Sequence, residues 1–176
     1  MKKSKAKKPA RARATTKAKK LPAKKAVQPI PEGHPTVSPY LIVDDATRAL
    51  EFYKKAFGAR ELMRHAGPDG RIGHAEIRIG DSVIMLADEH PEVNARSPKT
   101  IGGTPVSLHV YVKDVDVVAR QALGAGAKVV RPVQNQFYGD RSGTFEDPFG
   151  HQWHVATHIE DVSPAEFRRR AAQTGH

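Results

Sequence analysis

The chain repeats itself, and that limits its fold more than any other feature. Ser38-Pro39-Tyr40-Leu41-Ile42-Val43-Asp44-Asp45 is answered by Ser107-Leu108-His109-Val110-Tyr111-Val112-Lys113-Asp114, Gly58-Ala59-Arg60 by Gly126-Ala127-Lys128, and Gly80 by Gly150. The shifts are 69, 68 and 70 residues. Three anchors at a nearly constant spacing mark an internal duplication. A single copy is too short for a core of its own, so two copies make one domain.

Within the first copy, Thr36 to Val43 alternates as a strand. Asp44 or Asp45 then caps a helix in which Ala46, Ala49, Leu50, Tyr53, Ala56 and Phe57 recur at helical spacing, with Gly58 as the stop. Arg60 to His65 and Arg71 to Ile79 read as extended, and Gly80-Asp81 as a two-residue hairpin into Ser82 to Ala87. The order is β-α-β-β-β, and the anchors predict it again in the second copy. The fold class is therefore α+β, two tandem βαβββ modules. The expected organisation is a disordered basic tail over 1–35, one domain over 36–158 and a C-terminal helix and tail over 159–176. The domain divides into modules over about 36–88 and 105–158, joined by a Pro- and Gly-rich linker over 89–104 that either connects them or covers a site. Ser163-Pro164-Ala165-Glu166 is a capping box with Pro at the first helical position, which starts the final helix.

The formal charge of +10 raises a nucleic-acid hypothesis, but twelve of the 29 basic residues fall within residues 1–35 beside one acid, Glu32. The remainder is close to neutral. A Lys-, Ala- and Pro-rich tail has little to bury and is expected to be disordered, either as a solubilising segment or as a weak, non-specific contact to nucleic acid. Cysteine is absent, which excludes disulfides, thiolate metal sites and cysteine nucleophiles. No apolar run reaches the roughly 18 residues that span a bilayer, so no membrane contact and a cytoplasmic location are expected.

Chemistry concentrates between Gly139 and Thr157. Asp147-Pro148-Phe149-Gly150 has the residue preferences of a type I turn. In the strand that leaves it, Gln152, His154 and Ala156 share one face while Trp153 and Val155 share the other. Trp153 is assigned to packing. His109 lies two residues beyond Ser107 on the same strand face, with Tyr111 beyond it and Tyr40 as its counterpart in the first copy.

A duplicated βαβββ unit ending in D-P-F-G-H-x-W resembles the vicinal oxygen chelate superfamily, of glyoxalase, bleomycin-resistance and dioxygenase type. The similarity also rests on F-Y-K-x-x-F-G-A (Phe52 to Ala59), Gly73 to Asp88 and Q-F-Y-G-D-R-S-G-T (Gln136 to Thr144). It implies two modules curled into a cupped mixed sheet, a homodimer, and a small-molecule ligand in the cup beside a divalent metal such as Zn, Ni, Mn or Fe. The family's ligands are a His or Gln early on the first strand of each module and a Glu on the last. Those positions fall here on Ser38 and Ser107, and on His154 with Ile84 as its approximate partner. The full ligand set is thus missing.

Three candidate groups follow. His109 and His154 converge on a metal if their face lines the cup, or else contact an organic ligand. Glu76, which alternates with His74 and Arg78, is a general base or third ligand, or else part of a solvated face. Tyr40, Ser38, Ser107, Tyr111, Phe137, Tyr138 and Arg141 are the remaining candidate ligand contacts, Arg141 for an anionic group unless it pairs with Asp140. The functions expected are binding of a small organic ligand without the full metal site, a metal-dependent lyase or ring-cleaving dioxygenase, and tethering to nucleic acid through the tail.

Overall fold

The computed structural model describes residues 28–174. Most of the expected basic tail, residues 1–27, lies outside the described residues.

The first module runs β1 (Tyr40–Val43), α1 (Ala46–Phe57), β2 (Arg60–Ala66), β3 (Ile72–Ile79) and β4 (Ser82–Asp88). After a 3-10 turn at Pro91–Val93 and a short helix α2 (Pro98–Ile101) comes the second: β5 (Ser107–Tyr111), α3 (Val115–Gly124), β6 (Lys128–Asn135), β7 (Asp140–Glu146) and β8 (Gln152–His158). Helix α4 (Pro164–Thr174) ends the described chain. The duplication is visible in the sheets, which are four-stranded and mixed with the orders β1-β4-β3-β2 and β5-β8-β7-β6. In each, the first strand runs parallel to the last and the other pairs are antiparallel. The linker is more ordered than its composition suggests. Ser97 caps α2 by accepting from Thr100 N, with Pro98 at the first helical position.

Helices α1 and α3 each start on an Asp and are tied to their sheets by a second side chain. Asp45 Oδ1 accepts from Arg48 N at 2.9 Å, and buried Asp88 accepts from Ala46 N at 2.7 Å and from Ile72 N at 2.6 Å. One repeat later Asp114 accepts from Val117 N, while Thr157 Oγ1 accepts from Val115 N and donates to Val112 O. Asp88 and Thr157 thus satisfy helix N-termini that would otherwise leave donors unpaired. Of Asp44 and Asp45, it is Asp45 that caps α1, and Asp114 caps α3 in the same way. Asp44 instead pairs with Lys99 and Asp116 with Arg141.

The core is one cluster shared by the two modules. Leu41, Val43, Ala75, Ile77, Ile84 and Leu86 pack from the first sheet, Phe145, Trp153 and Val155 from the second, and α1 contributes Leu50, Tyr53 and Ala56. Trp153 packs as expected, its ring centroid 4.5 Å from Phe57 and 5.5 Å from Tyr53. Helix α1 therefore belongs to both halves.

Candidate functional site

With the core on one face of each sheet, alternation places the chemically equipped residues on the other. Strand register groups them into transverse rows. In the second sheet His109 stands opposite His154, His154 opposite Thr144, and Thr144 opposite Arg131, one residue from each strand. The equivalent row of the first sheet is Tyr40, Met85, Glu76 and Met63. The counterpart of His154 is therefore Met85 rather than Ile84, which is buried in the core. The turns explain the slip. The β3–β4 hairpin is the two residues Gly80 and Asp81, but β7 and β8 are joined by the longer stretch Asp147 to His151. Counting from the two glycines thus lands one residue out of register, on the wrong face.

His154 is held by hydroxyls at both nitrogens, Nδ1 at 2.9 Å from Thr144 Oγ1 and Nε2 at 3.1 Å from Ser107 Oγ. A neutral imidazole has one donor and one acceptor, and hydroxyls satisfy either tautomer. Its pKa is lowered, first by burial and then by His109 and Arg131. The His109 ring lies 6.2 Å away, centroid to centroid, at 24° to it. Both His154 nitrogens are already engaged by hydroxyls, so an ion there would have to displace one of those bonds. Among the described residues no group of three His, Cys, Asp or Glu is arranged to hold a metal. Ser38, Ser107 and Met85 are also poor ligands for Zn, Ni, Mn or Fe, so the residues present do not fit the family's metal centre.

A cavity of about 270 Å³ lies over this second face, lined by Arg131, Gln134, Tyr138, Ser142, Thr144 and His154, with Phe137 at its side. Arg131 is its one formal charge, and among the described residues its guanidinium has no acidic partner. Tyr138 Oη lies 3.4 Å from Ser142 Oγ, and Phe137 packs on Phe167 of α4 at 5.2 Å. Tyr111 donates to Asp140, and that bond raises its pKa. Arg141 is engaged elsewhere, with Asp116 at 2.8 Å and with Asn135, while Asp140 takes His158.

A second cavity, of about 490 Å³, lies between the open edges of β1 and β5. Tyr40, Ser107, His109, Arg96 and His151 supply its polar lining, and α2 supplies Pro98 and Ile101. Ser38 lies two residues before β1. Glu76 is not on a solvated face. Only 9% exposed, it meets His34 Nε2 at 3.0 Å and His74 Nε2 at 3.3 Å. Burial raises its pKa, but the bonds from the two histidines outweigh that and leave it lowered. Arg78 also donates to Gly33 O at 3.0 Å, so the last residues of the expected tail dock on this face. Sequence reasoning missed His34, Arg131 and Thr144. Thr144 lay in plain view inside the Gln136 to Thr144 motif, but His34 reaches its site from outside any periodic segment.

The family model described as Glyoxalase/Bleomycin resistance protein/Dioxygenase superfamily matches residues 33–155. The chain belongs to this superfamily. Within the glyoxalase/bleomycin resistance protein/dioxygenase superfamily, it is 43% identical over 144 residues to an uncharacterised protein of Mycobacterium bovis, covering 80% of this chain and 95% of that one. It is equally similar to an uncharacterised protein of Mycobacterium tuberculosis, of which 85% is covered. Among solved structures it is similar to TioX from Micromonospora sp. ML1, with 28% identity, a TM-score of 0.53 and coverage of 68% of this chain and 95% of that one. An Arabidopsis thaliana gene product gives 25% identity, a TM-score of 0.56 and coverage of 69% and 98%. The superfamily's two-module fold is thus present.

Proposed function

We propose that the protein binds a small anionic organic molecule over the second sheet, without the superfamily's usual metal. The observation that carries this is the row His154, Thr144, Arg131 flooring the 270 Å³ cavity, with His109 next in register but outside its lining. Arg131 supplies an unneutralised cation for a carboxylate or similar group. Tyr138, Ser142 and Gln134 add neutral hydrogen-bonding groups, and Phe137 adds an aromatic wall.

A thermal-shift screen of small carboxylates and phosphonates tests it, since a ligand that binds only the native state raises Tm. At least one compound is expected to stabilise the wild type and to lose that effect in Arg131→Gln. Stabilisation by Zn, Ni, Mn or Fe alone, with none by any organic anion, would overturn the reading.

The reading includes a homodimer. Among the described residues β1 pairs only with β4 and β5 only with β8, which leaves two open strand edges beside exposed Val37, Val106 and Tyr111. A second copy covers such edges, and sedimentation of the full chain as a monomer alone would count against it.

A further inference from the structure

The face of the first sheet that turns away from the core is occupied, and its occupant is part of the chain. Glu76 lies in the row Tyr40, Met85, Glu76, Met63, at the position where the second sheet has Thr144. Its Oε2 is 3.0 Å from His34 Nε2 and its Oε1 is 3.3 Å from His74 Nε2. An ionised carboxylate only accepts, so both rings donate to it. His74 belongs to the same strand, two residues away, but His34 arrives from outside the sheet. One residue earlier, Gly33 O accepts from the Arg78 guanidinium at 3.0 Å.

Little else fastens this segment. Residues 28–39 form no strand or helix, and all but His34 and Ser38 are exposed. Ile30 is 49% and Val37 81% exposed, so apolar side chains do not anchor it. A segment held by two hydrogen bonds, without apolar burial, lies at the low end of local stability and opens at small cost. Opening frees one oxygen of a carboxylate that shares its row with the Tyr40 ring and the thioethers of Met85 and Met63. A carboxylate binds an organic cation by charge-assisted hydrogen bonds, and an aromatic face and polarisable sulfur pack well against it.

We propose that this face binds a small organic cation, an amine, imidazole or amidine, with Glu76 as its counter-ion, and that residues 28–35 are a built-in competitor whose His34 mimics the ligand. Ligand and segment exclude each other because both need Glu76 Oε2. Binding therefore lifts the segment from the sheet, and the strength of its two bonds sets the concentration at which binding occurs. The charge preference is opposite to that of the cavity over the second sheet, where Arg131 stands in the equivalent row. Neither Glu76 nor His34 lines that cavity, so this inference stands independently of the anion reading.

The test uses the full chain with imidazole, histamine and benzamidine as probes. Binding is read by thermal shift, and the segment by the His34 Cε1 proton signal, identified by its loss in His34→Gly. At least one probe is expected to raise Tm and to move the wild-type His34 signal to the position of a solvent-exposed histidine. His34→Gly removes the competitor from an exposed segment and leaves the core alone. It should tighten the apparent Kd of that probe about 10-fold, the effect of losing one hydrogen bond to a charged group. Arg78→Met breaks the other bond, keeps Glu76, and should shift binding in the same direction. Glu76→Gln should abolish binding with or without His34. The proposal is overturned if no probe binds His34→Gly, if binding is equal in wild type, His34→Gly and Arg78→Met, or if it survives Glu76→Gln. It is equally overturned if imidazole merely fills the space left in His34→Gly while no probe moves the wild-type His34 signal. Arg131→Gln should leave the cation effect unchanged, so this site and the anion site can fail separately.

Discussion

Tyr53, on α1 of the first module, donates its phenolic hydrogen to Asp147 Oδ2, 2.8 Å away in the turn of the second. Asp147 is 3% exposed and also accepts from Trp153 Nε1 and from the backbone of Phe149 and His151. Burial, followed by the neighbouring carboxylate, holds the Tyr53 pKa well above its ordinary value, so it stays a donor. Truncating one partner of such a set leaves buried polar groups unpaired. Tyr53→Phe is expected to cost about 1–2 kcal/mol and Asp147→Ala about 3 kcal/mol, read from urea midpoints at unchanged slope.

Gly139 and Gly58 both have positive φ, at 100° and 64°, but only one is crowded. A Cβ on Gly139 would come within 2.1 Å of the Glu160 carbonyl oxygen, whereas one on Gly58 meets nothing within 4 Å. Gly58→Ala should cost about 1 kcal/mol, the penalty of the left-handed conformation. Gly139→Ala must also displace backbone and should cost about 3 kcal/mol, seen as a much larger fall in Tm.

Glu76 gives the stability a pH signature. Its folded-state pKa lies below its ordinary value of 4.5. Below that value the unfolded chain therefore binds more protons than the native one, and stability falls as pH drops through the folded-state pKa. Above 4.5 the contribution is complete. Urea unfolding of Glu76→Gln between neutral pH and pH 3 should show a shallower acid-side loss than the wild type.

Asp88 and Thr157 hold equivalent helix starts with unequal means. Asp88 receives two buried backbone donors, from Ala46 and Ile72, and Thr157 receives one, from Val115. Asp88→Ala should therefore cost more, about 2–3 kcal/mol against about 1 kcal/mol for Thr157→Ala, by thermal melts.

The architecture was legible because the residues that mark it are local. Asp45 and Asp114 begin the helices, Gly58 ends the first, and their constant spacing gave the duplication. The capping box at Ser163 was half right. Ser163 accepts from Glu166 N, but the Glu166 side chain takes Arg169 and Arg170, which hold its pKa at about 2. The site was less legible. The register of β4 depends on turn length, which the glycine anchors hid, and so Ile84 stood in for Met85. Alternating charges on β3 suggested a wet surface because nothing local announces that His34 crosses to Glu76. Arg141 looked available for a ligand because Asp116, its partner, sits a helix away in sequence. For His34 and Arg141 a contact between distant segments decided the outcome.

The bond between Tyr53 and Asp147 spans 94 residues of chain. During synthesis the first module is complete long before Asp147, Phe149 and Trp153 exist, and one side of α1 must wait with its aromatic rings uncovered. The face of α1 that meets Asp147, Phe149 and Trp153 is therefore covered only when the second module is in place.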